Sequence, residues 1–198
     1  MKANTQNANK AKLRKIFLQK RLSLSCSELE TMSKQVAEKF FTYFDLSNKK
    51  NLHCFLPIDK FNEINTLFIF EKVWKEFPNV KTFAPKVNFE TNSIESIRFT
   101  QFSTVEQNKW GIKEPTSGEA ISSSEIELVI LPLLCFDKRG HRVGYGKGFY
   151  DRFLKGCKKD CLKIGLSLFE PVESILDVTE EDIKMDYCIT PSEVFKFV

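Results

Sequence analysis

Residues Ile126–Arg152 read IELVILPLLCFDKRGHRVGYGKGFYDR. The first part, to Phe136, is apolar almost without interruption, and an apolar run that does not alternate predicts a strand buried on both faces, as in a parallel sheet. The next sixteen residues, Asp137–Arg152, hold four glycines and five cations against two aspartates. A helical pattern begins at Phe149 and runs to Leu154. Strand, glycine-rich loop and helix in that order form a βα unit, and open α/β sheets bind ligands beyond the carboxyl ends of such strands.

The flanking sequence keeps the same rhythm. Ala11–Leu22 carries Leu13, Ile16, Phe17 and Leu18 at helical spacing, and Glu28–Phe44 predicts a second helix behind a cap at Ser25 or Ser27. Asn51–Pro57 is a short buried strand, Ile64–Phe77 an amphipathic helix, and Val80–Ala84 a strand closed by Pro85. Ser93–Phe102 alternates like a half-exposed strand, and Thr116–Glu125 predicts a loop or short helix. Cys161–Leu168 supplies another strand, with short ones at Tyr187–Thr190 and Val194–Val198. Strands alternating with helices imply an α/β fold of three layers, α/β/α, with a largely parallel central sheet. No repeat or low-complexity linker divides the chain, so a single domain over residues 1–198 is expected, with 1–9 as a flexible tail.

Composition narrows the function classes. The chain has 198 residues, 42% of them hydrophobic, with nineteen phenylalanines for a core. A net charge of +4 from mixed signs argues against a nucleic-acid coat. No apolar run approaches the ~20 residues needed to span a bilayer. The first fifteen residues lack the apolar stretch of a secretory signal, and the six cysteines are scattered. Reduced thiols in a cytoplasmic protein are expected, with no nucleic-acid or membrane partner and a monomer as the default. Cys157 and Cys161, with His53 and His141 far off in sequence, make a poor zinc signature.

The chemistry of Asp137–Arg152 suits a polyphosphate. Gly140, Gly144, Gly146 and Gly148 let backbone N–H groups approach an anion, and the start of the following helix adds its positive end. Lys138, Arg139, Arg142, Lys147 and Arg152 give this segment a net +3, most of the whole chain's excess. It is neither a Walker A loop, because Lys147 is followed by Gly148 instead of Ser or Thr, nor a Rossmann fingerprint, because Phe149 stands where the third glycine belongs. The plain alternative is a glycine-rich turn decorated by solvated charge.

LPLLCFDKRGHRVGYGKGFYDRFL closely resembles the signature of the 5-formyltetrahydrofolate cyclo-ligase family, in which a strand ending in Pro and Phe-Asp leads to R-[LV]-G-x-G-x-G-[YF]-Y-D-R. Weaker echoes follow in family order: the basic helix Lys10–Arg14, the E-I-x-T element Glu63–Thr66, WGIKEP at Trp110–Pro115, and DIKMDYCIT at Asp182–Thr190. Glu181 stands where the family often has histidine.

The resemblance implies a Rossmann-like fold of the CoA-transferase kind and a reaction in which ATP drives closure of 5-formyltetrahydrofolate to the 5,10-methenyl form, releasing ADP and phosphate. ATP phosphorylates the formyl oxygen, N10 attacks the activated carbon, and phosphate leaves. By the same resemblance Lys10, Arg14, Arg142, Gly144, Tyr145, Gly146, Lys147, Gly148, Phe149 and Tyr150 bind ATP. Lys147 and Arg142 serve the transferring phosphoryl group. Ile58, Glu63 and Trp110, with Tyr145 to Phe149, receive the folate. Asp151 and Asp186 hold magnesium. Each role has a plain rival: Lys10 and Arg14 as a wet helix face, Asp151 as a first-turn carboxylate, Glu63 as the cap of a helix from Ile64, Trp110 as core. His141 is expected to be a bystander and Asp137 a turn stabiliser. The rival functions are a non-catalytic nucleotide- or folate-binding protein and a sugar-phosphate enzyme on a similar scaffold.

Overall fold

The computed structural model describes residues 7–198. Four helices are α1 (Lys10–Leu22), α2 (Cys26–Tyr43), α3 (Leu67–Glu76) and α4 (Phe149–Lys155). The main sheet has eight strands: β1 (Asn51–Cys54), β2 (Lys81–Asn88), β3 (Ser93–Arg98), β4 (Ala120–Ile121), β5 (Leu128–Pro132), β6 (Leu162–Leu166), β7 (Tyr187–Ile189) and β8 (Val194–Lys196). They lie in the order β8-β7-β6-β5-β1-β2-β3-β4. The five strands from β7 to β2 are mutually parallel, and antiparallel strands close both edges.

Alternation along β5 explains the layers. Leu128 and Ile130 pack with Val36 and Phe40 of α2 and with Ile69, Phe70 and Val73 of α3. Val129 and Leu131 point the other way, into a cluster with Phe153 and Leu154 of α4. All four β5 side chains are fully buried, each contributing about 1.5–3 kcal/mol of apolar transfer. A mixed α/β fold with helices on both faces of a mostly parallel sheet results. The capping box that starts α2 uses Ser25: its hydroxyl accepts from Glu28 N at 3.3 Å, and Glu28 accepts from Ser25 N at 2.8 Å.

The order of the strands positions the site. The chain leaves β1 through α3 to β2 on one side, and leaves β5 through α4 to β6 on the other. Strand order therefore reverses between β1 and β5, and beyond the carboxyl ends of that pair a crevice must open.

Four expectations need correction. Residues Asn7–Asn9 are not part of a loose tail: Asn7 and Ala8 pair in parallel with Ser174 and Ile175, and the Asn9 side chain caps α1. The rest of the expected tail, 1–6, lies outside the described residues. Helix α3 starts at Leu67 instead of Ile64, because the Thr66 hydroxyl donates to Phe55 O at 2.7 Å and ties that turn to the end of β1. Strand β2 runs through Pro85, which falls beyond Phe83, the last residue paired with β1, where a missing N–H costs no ladder bond. The Ile126–Phe136 strand is broken at Pro132. Cys135–Phe136 instead pairs antiparallel with Arg142–Val143, folding part of the glycine-rich segment into a hairpin.

Candidate active site

A cavity of about 600 Å³ occupies the crevice beyond β1 and β5. Its lining includes Phe55, Leu56 and Ile58 after β1, Pro132 at the end of β5, and the loop from Arg142 to Asp151. Except for Asp186, every residue singled out above for ATP, folate or metal lines it.

One end is charged. Helix α1 presents Lys10 and Arg14 from its first turns. Arg14 Nε donates to Gly144 O at 2.9 Å, so the guanidinium lies along the loop. Gly146 has φ +87, and a Cβ there would come within 2.9 Å of Arg14 Nη2. The left-handed backbone favours glycine here, and any side chain would displace the end of Arg14. Lys147 is exposed, and no acceptor meets its Nζ among the described residues; only its carbonyl is engaged, accepting from Arg152 at 2.7 Å. Arg142 is buried and partly engaged: its Nη2 donates to Asp151 Oδ1 at 2.8 Å and its Nη1 to Ile183 O at 2.6 Å.

The metal assignment needs correction at one position. Asp186 does not line the cavity. Its Oδ2 accepts from Lys163 N and pairs with Lys163 Nζ, both at 2.8 Å, which holds the start of β7 to β6. Asp182 lines the cavity instead, with Lys10 Nζ donating to its Oδ1 at 2.7 Å. Burial alone would raise the Asp182 carboxyl, but Lys10 and Thr179 together hold it below the ordinary value. Asp151 lies beside it, since Asp151 Oδ1 also accepts from Ile183 N at 3.1 Å. Among the described residues no group of three histidine, cysteine or carboxylate side chains could hold a metal. The donor set on offer is therefore two carboxylates, Asp151 and Asp182, at the cationic end. Two hard oxygens fit a magnesium ion that keeps waters and takes phosphate oxygens.

The other end is apolar and aromatic, with Phe61, Val87, Phe89, Trp110, Ile112 and Phe149 in its wall. Trp110 is 51% exposed, which rules out a core role; it packs on Phe89 with ring centroids 5.3 Å apart. It sits at the tip of a hairpin, Val105–Gln107 with Lys113–Pro115, that sequence reading met only as a motif. The tip is held by Asn108, whose Oδ1 accepts from Trp110 N and Ile112 N. Ile58 follows β1, and a left-handed Asn62, φ 48, turns the chain so that Glu63 faces inward. Glu63 caps no helix. Its Oε2 accepts from Ile58 N at 2.9 Å and its Oε1 from Tyr145 Oη at 2.6 Å. Burial pushes the Glu63 carboxyl above its usual value, opposed by Arg21, Tyr145 and Ile58. Burial and the neighbouring Glu63 charge raise the Tyr145 phenol, so it stays protonated and donates.

Sequence reading missed Arg21 and Asp182. Arg21 is 4% exposed although it carries a full charge. It sits eight residues after Leu13 and four after Phe17, both buried, so a cation interrupting the apolar stripe of α1 was the available signal. Asp137 and His141 lie outside the cavity, in the turn of the Cys135–Val143 hairpin, where Asp137 accepts from Arg139 N and His141 N.

Fold and site together define an α/β protein with one large cleft at a sheet switch point, cationic where a glycine loop meets α1 and aromatic at the far end. The sequence profile of the 5-formyltetrahydrofolate cyclo-ligase family matches residues 6–191, so the chain belongs to that family. A 5-formyltetrahydrofolate cyclo-ligase of Mus musculus is 30% identical over 197 residues, covering 94% of this chain and 95% of its own. One of Escherichia coli K12 is 27% identical, covering 90% and 98%. The solution structure of Aquifex aeolicus 5,10-methenyltetrahydrofolate synthetase superposes with a TM-score of 0.80 at 30% identity, covering 95% of this chain and 92% of that one. The Mycoplasma pneumoniae synthetase shares the fold, with a TM-score of 0.72 at 24% identity over 92% and 98%.

Proposed function

We propose that this chain catalyses the ATP-dependent cyclisation of 5-formyltetrahydrofolate to 5,10-methenyltetrahydrofolate, with ATP at the cationic end of the cavity and the pterin at the aromatic end. The observation that carries the reading is a single cavity joining Lys10, Arg14 and the glycine loop to Glu63 and the aromatic wall. A nucleotide and a flat ring bound at the two ends would meet near Lys147 and Tyr150.

The formyl oxygen attacks the γ-phosphorus of ATP, and ADP leaves. N10 then adds to the activated carbon, its proton is lost, and the C–O bond breaks so that phosphate carries the oxygen away. Positioning and charge neutralisation do most of the work in such phosphoryl transfer. Lys147, whose Nζ meets no partner among the described residues, is free to follow the transferring group. Arg14 and the loop N–H groups hold the polyphosphate, and Arg142, which orders the loop through Asp151, has further N–H donors for the transferring group. Asp151 and Asp182 are the residues that would hold magnesium, which when bound neutralises phosphate charge. Glu63 accepts from the pterin N–H groups, and Trp110 and Phe61 cover the ring faces. The single-domain organisation expected over 1–198 belongs to the same reading.

Lys147→Ala tests it. An exposed side chain leaves the melting temperature within about 1 °C, and turnover falls about 10²–10³-fold. Wild-type turnover in that variant would remove Lys147 from the mechanism.

A further inference from the structure

We infer that Arg21 is a positioning residue for folate: it fixes the Glu63 carboxylate and the Tyr145 phenol in the geometry that receives the pterin, from the same helix that holds the phosphate end. This rests on the reading that 5-formyltetrahydrofolate occupies the aromatic end.

Each of the three guanidinium nitrogens of Arg21 donates to a wall of the site. Its Nε donates to Phe61 O at 2.6 Å and its Nη1 to Leu133 O at 3.3 Å. Its Nη2 donates to Tyr145 Oη and lies 3.9 Å from Glu63 Oε1. Three separate segments thus meet on one planar fork: the turn after β1, the link after β5 and the glycine loop. The tyrosine is fixed from both sides, accepting from Arg21 while donating to Glu63, and its ring stacks on Phe61 at 5.2 Å. A phenol in that position has one orientation. The Glu63 carboxylate, with one internal partner on each oxygen, is left with a lone pair on each for a ligand.

Charge argues the same way. Glu63 is 4% exposed, and of the groups opposing the effect of its burial Arg21 is the strongest. Only an ionised carboxylate offers both oxygens to ring N–H donors, so without this cation the receptor would turn towards a neutral acid that donates a proton itself. A second feature ties the two ends of the cavity together. Lys10, Arg14 and Arg21 are four and seven residues apart, which places them within about 40° of one another around α1 and spreads them over about 17 Å of its length. One rigid rod sets the distance between the polyphosphate contacts and the pterin contacts.

The test combines a double-mutant cycle with separate binding of each substrate. Binding of 5-formyltetrahydrofolate and of ATP is measured by equilibrium dialysis for wild type, Arg21→Met, Glu63→Gln, the double variant and Arg21→Lys, with melting curves for all. Arg21→Met should weaken folate about tenfold or more and ATP by less than about twofold. In the Glu63→Gln background it should add less than about twofold, because the carboxylate it serves is gone. Arg21→Lys, which keeps charge but not the fork, should fall between wild type and Arg21→Met. Equal loss of both ligands, or an undiminished effect in the Glu63→Gln background, would overturn the inference. If Arg21→Met does not fold, Arg21→Lys decides: unchanged folate binding refutes the role, a selective loss of several-fold supports it. Wild type that binds no folate refutes the functional reading itself, whereas wild type that binds folate and an Arg21→Lys that binds it equally well refute only this inference.

Discussion

Acidification from pH 7 to pH 5 should cost the fold about 2 kcal/mol through one side chain, His53. The ring lies inside the sheet on β1, wholly buried, with Nδ1 2.8 Å from Ser96 Oγ, Nε2 3.4 Å from Tyr150 Oη, and its face 4.7 Å from Phe153. No carboxylate is among these neighbours, and burial pushes its pKa from 6.5 down to about 3. Between those values the unfolded chain binds a proton that the folded chain refuses. The associated stability is therefore complete above about pH 6.5 and lost as pH falls towards 3, at about 1.4 kcal/mol per unit. Urea melts of wild type and His53→Gln at pH 7, 6 and 5 isolate this contribution, since carboxylates titrate in both proteins and cancel in the difference. Wild type should lose about 2 kcal/mol more than the variant by pH 5. Parallel losses, or a His53 ring resonance that titrates near 6.5, would refute the burial argument.

The two aspartates near the carboxyl end should behave oppositely. Asp182→Asn, on the cavity, should raise the magnesium needed for half-maximal turnover about tenfold. Asp186→Asn should leave that requirement unchanged and lower stability by about 1–3 kcal/mol, read from urea midpoints, because Lys163 loses its partner. Gly146→Ala forces a side chain into a left-handed backbone against Arg14, so stability should fall by about 1 kcal/mol and ATP affinity should fall with it, as titration calorimetry can measure. Trp110→Ala should raise KM for 5-formyltetrahydrofolate about tenfold with a melting temperature near wild type, since the ring is half exposed.

How far sequence could reach depended on whether a feature was periodic. The helices and the doubly buried β5 were legible because 3.6-residue spacing and unbroken apolar runs have few structural readings. The prolines misled in opposite directions: Pro85 ended nothing because β1 had already stopped beside it, while Pro132 ended a strand in mid-run. The glycine loop was legible from its own glycines and cations, whereas Glu63 and Trp110 were found only from short elements that resemble the family's. Asp182 and Asp186 were not separable that way, since they flank an irregular stretch in which spacing says nothing about direction. What holds the Asp182 carboxylate at the cavity is a contact from elsewhere, Lys10 Nζ on α1, together with Thr179 N. Arg21 was legible in principle as the charge that breaks the stripe of Leu13 and Phe17, but its partners come from three distant segments.

The central claim is most directly tested by the near-ultraviolet absorbance of the methenyl product when purified protein meets 5-formyltetrahydrofolate, ATP and magnesium. Absorbance should grow in the complete mixture and stay flat when ATP or magnesium is withheld. A flat trace in the complete mixture, from protein that still binds ATP, would contradict the account.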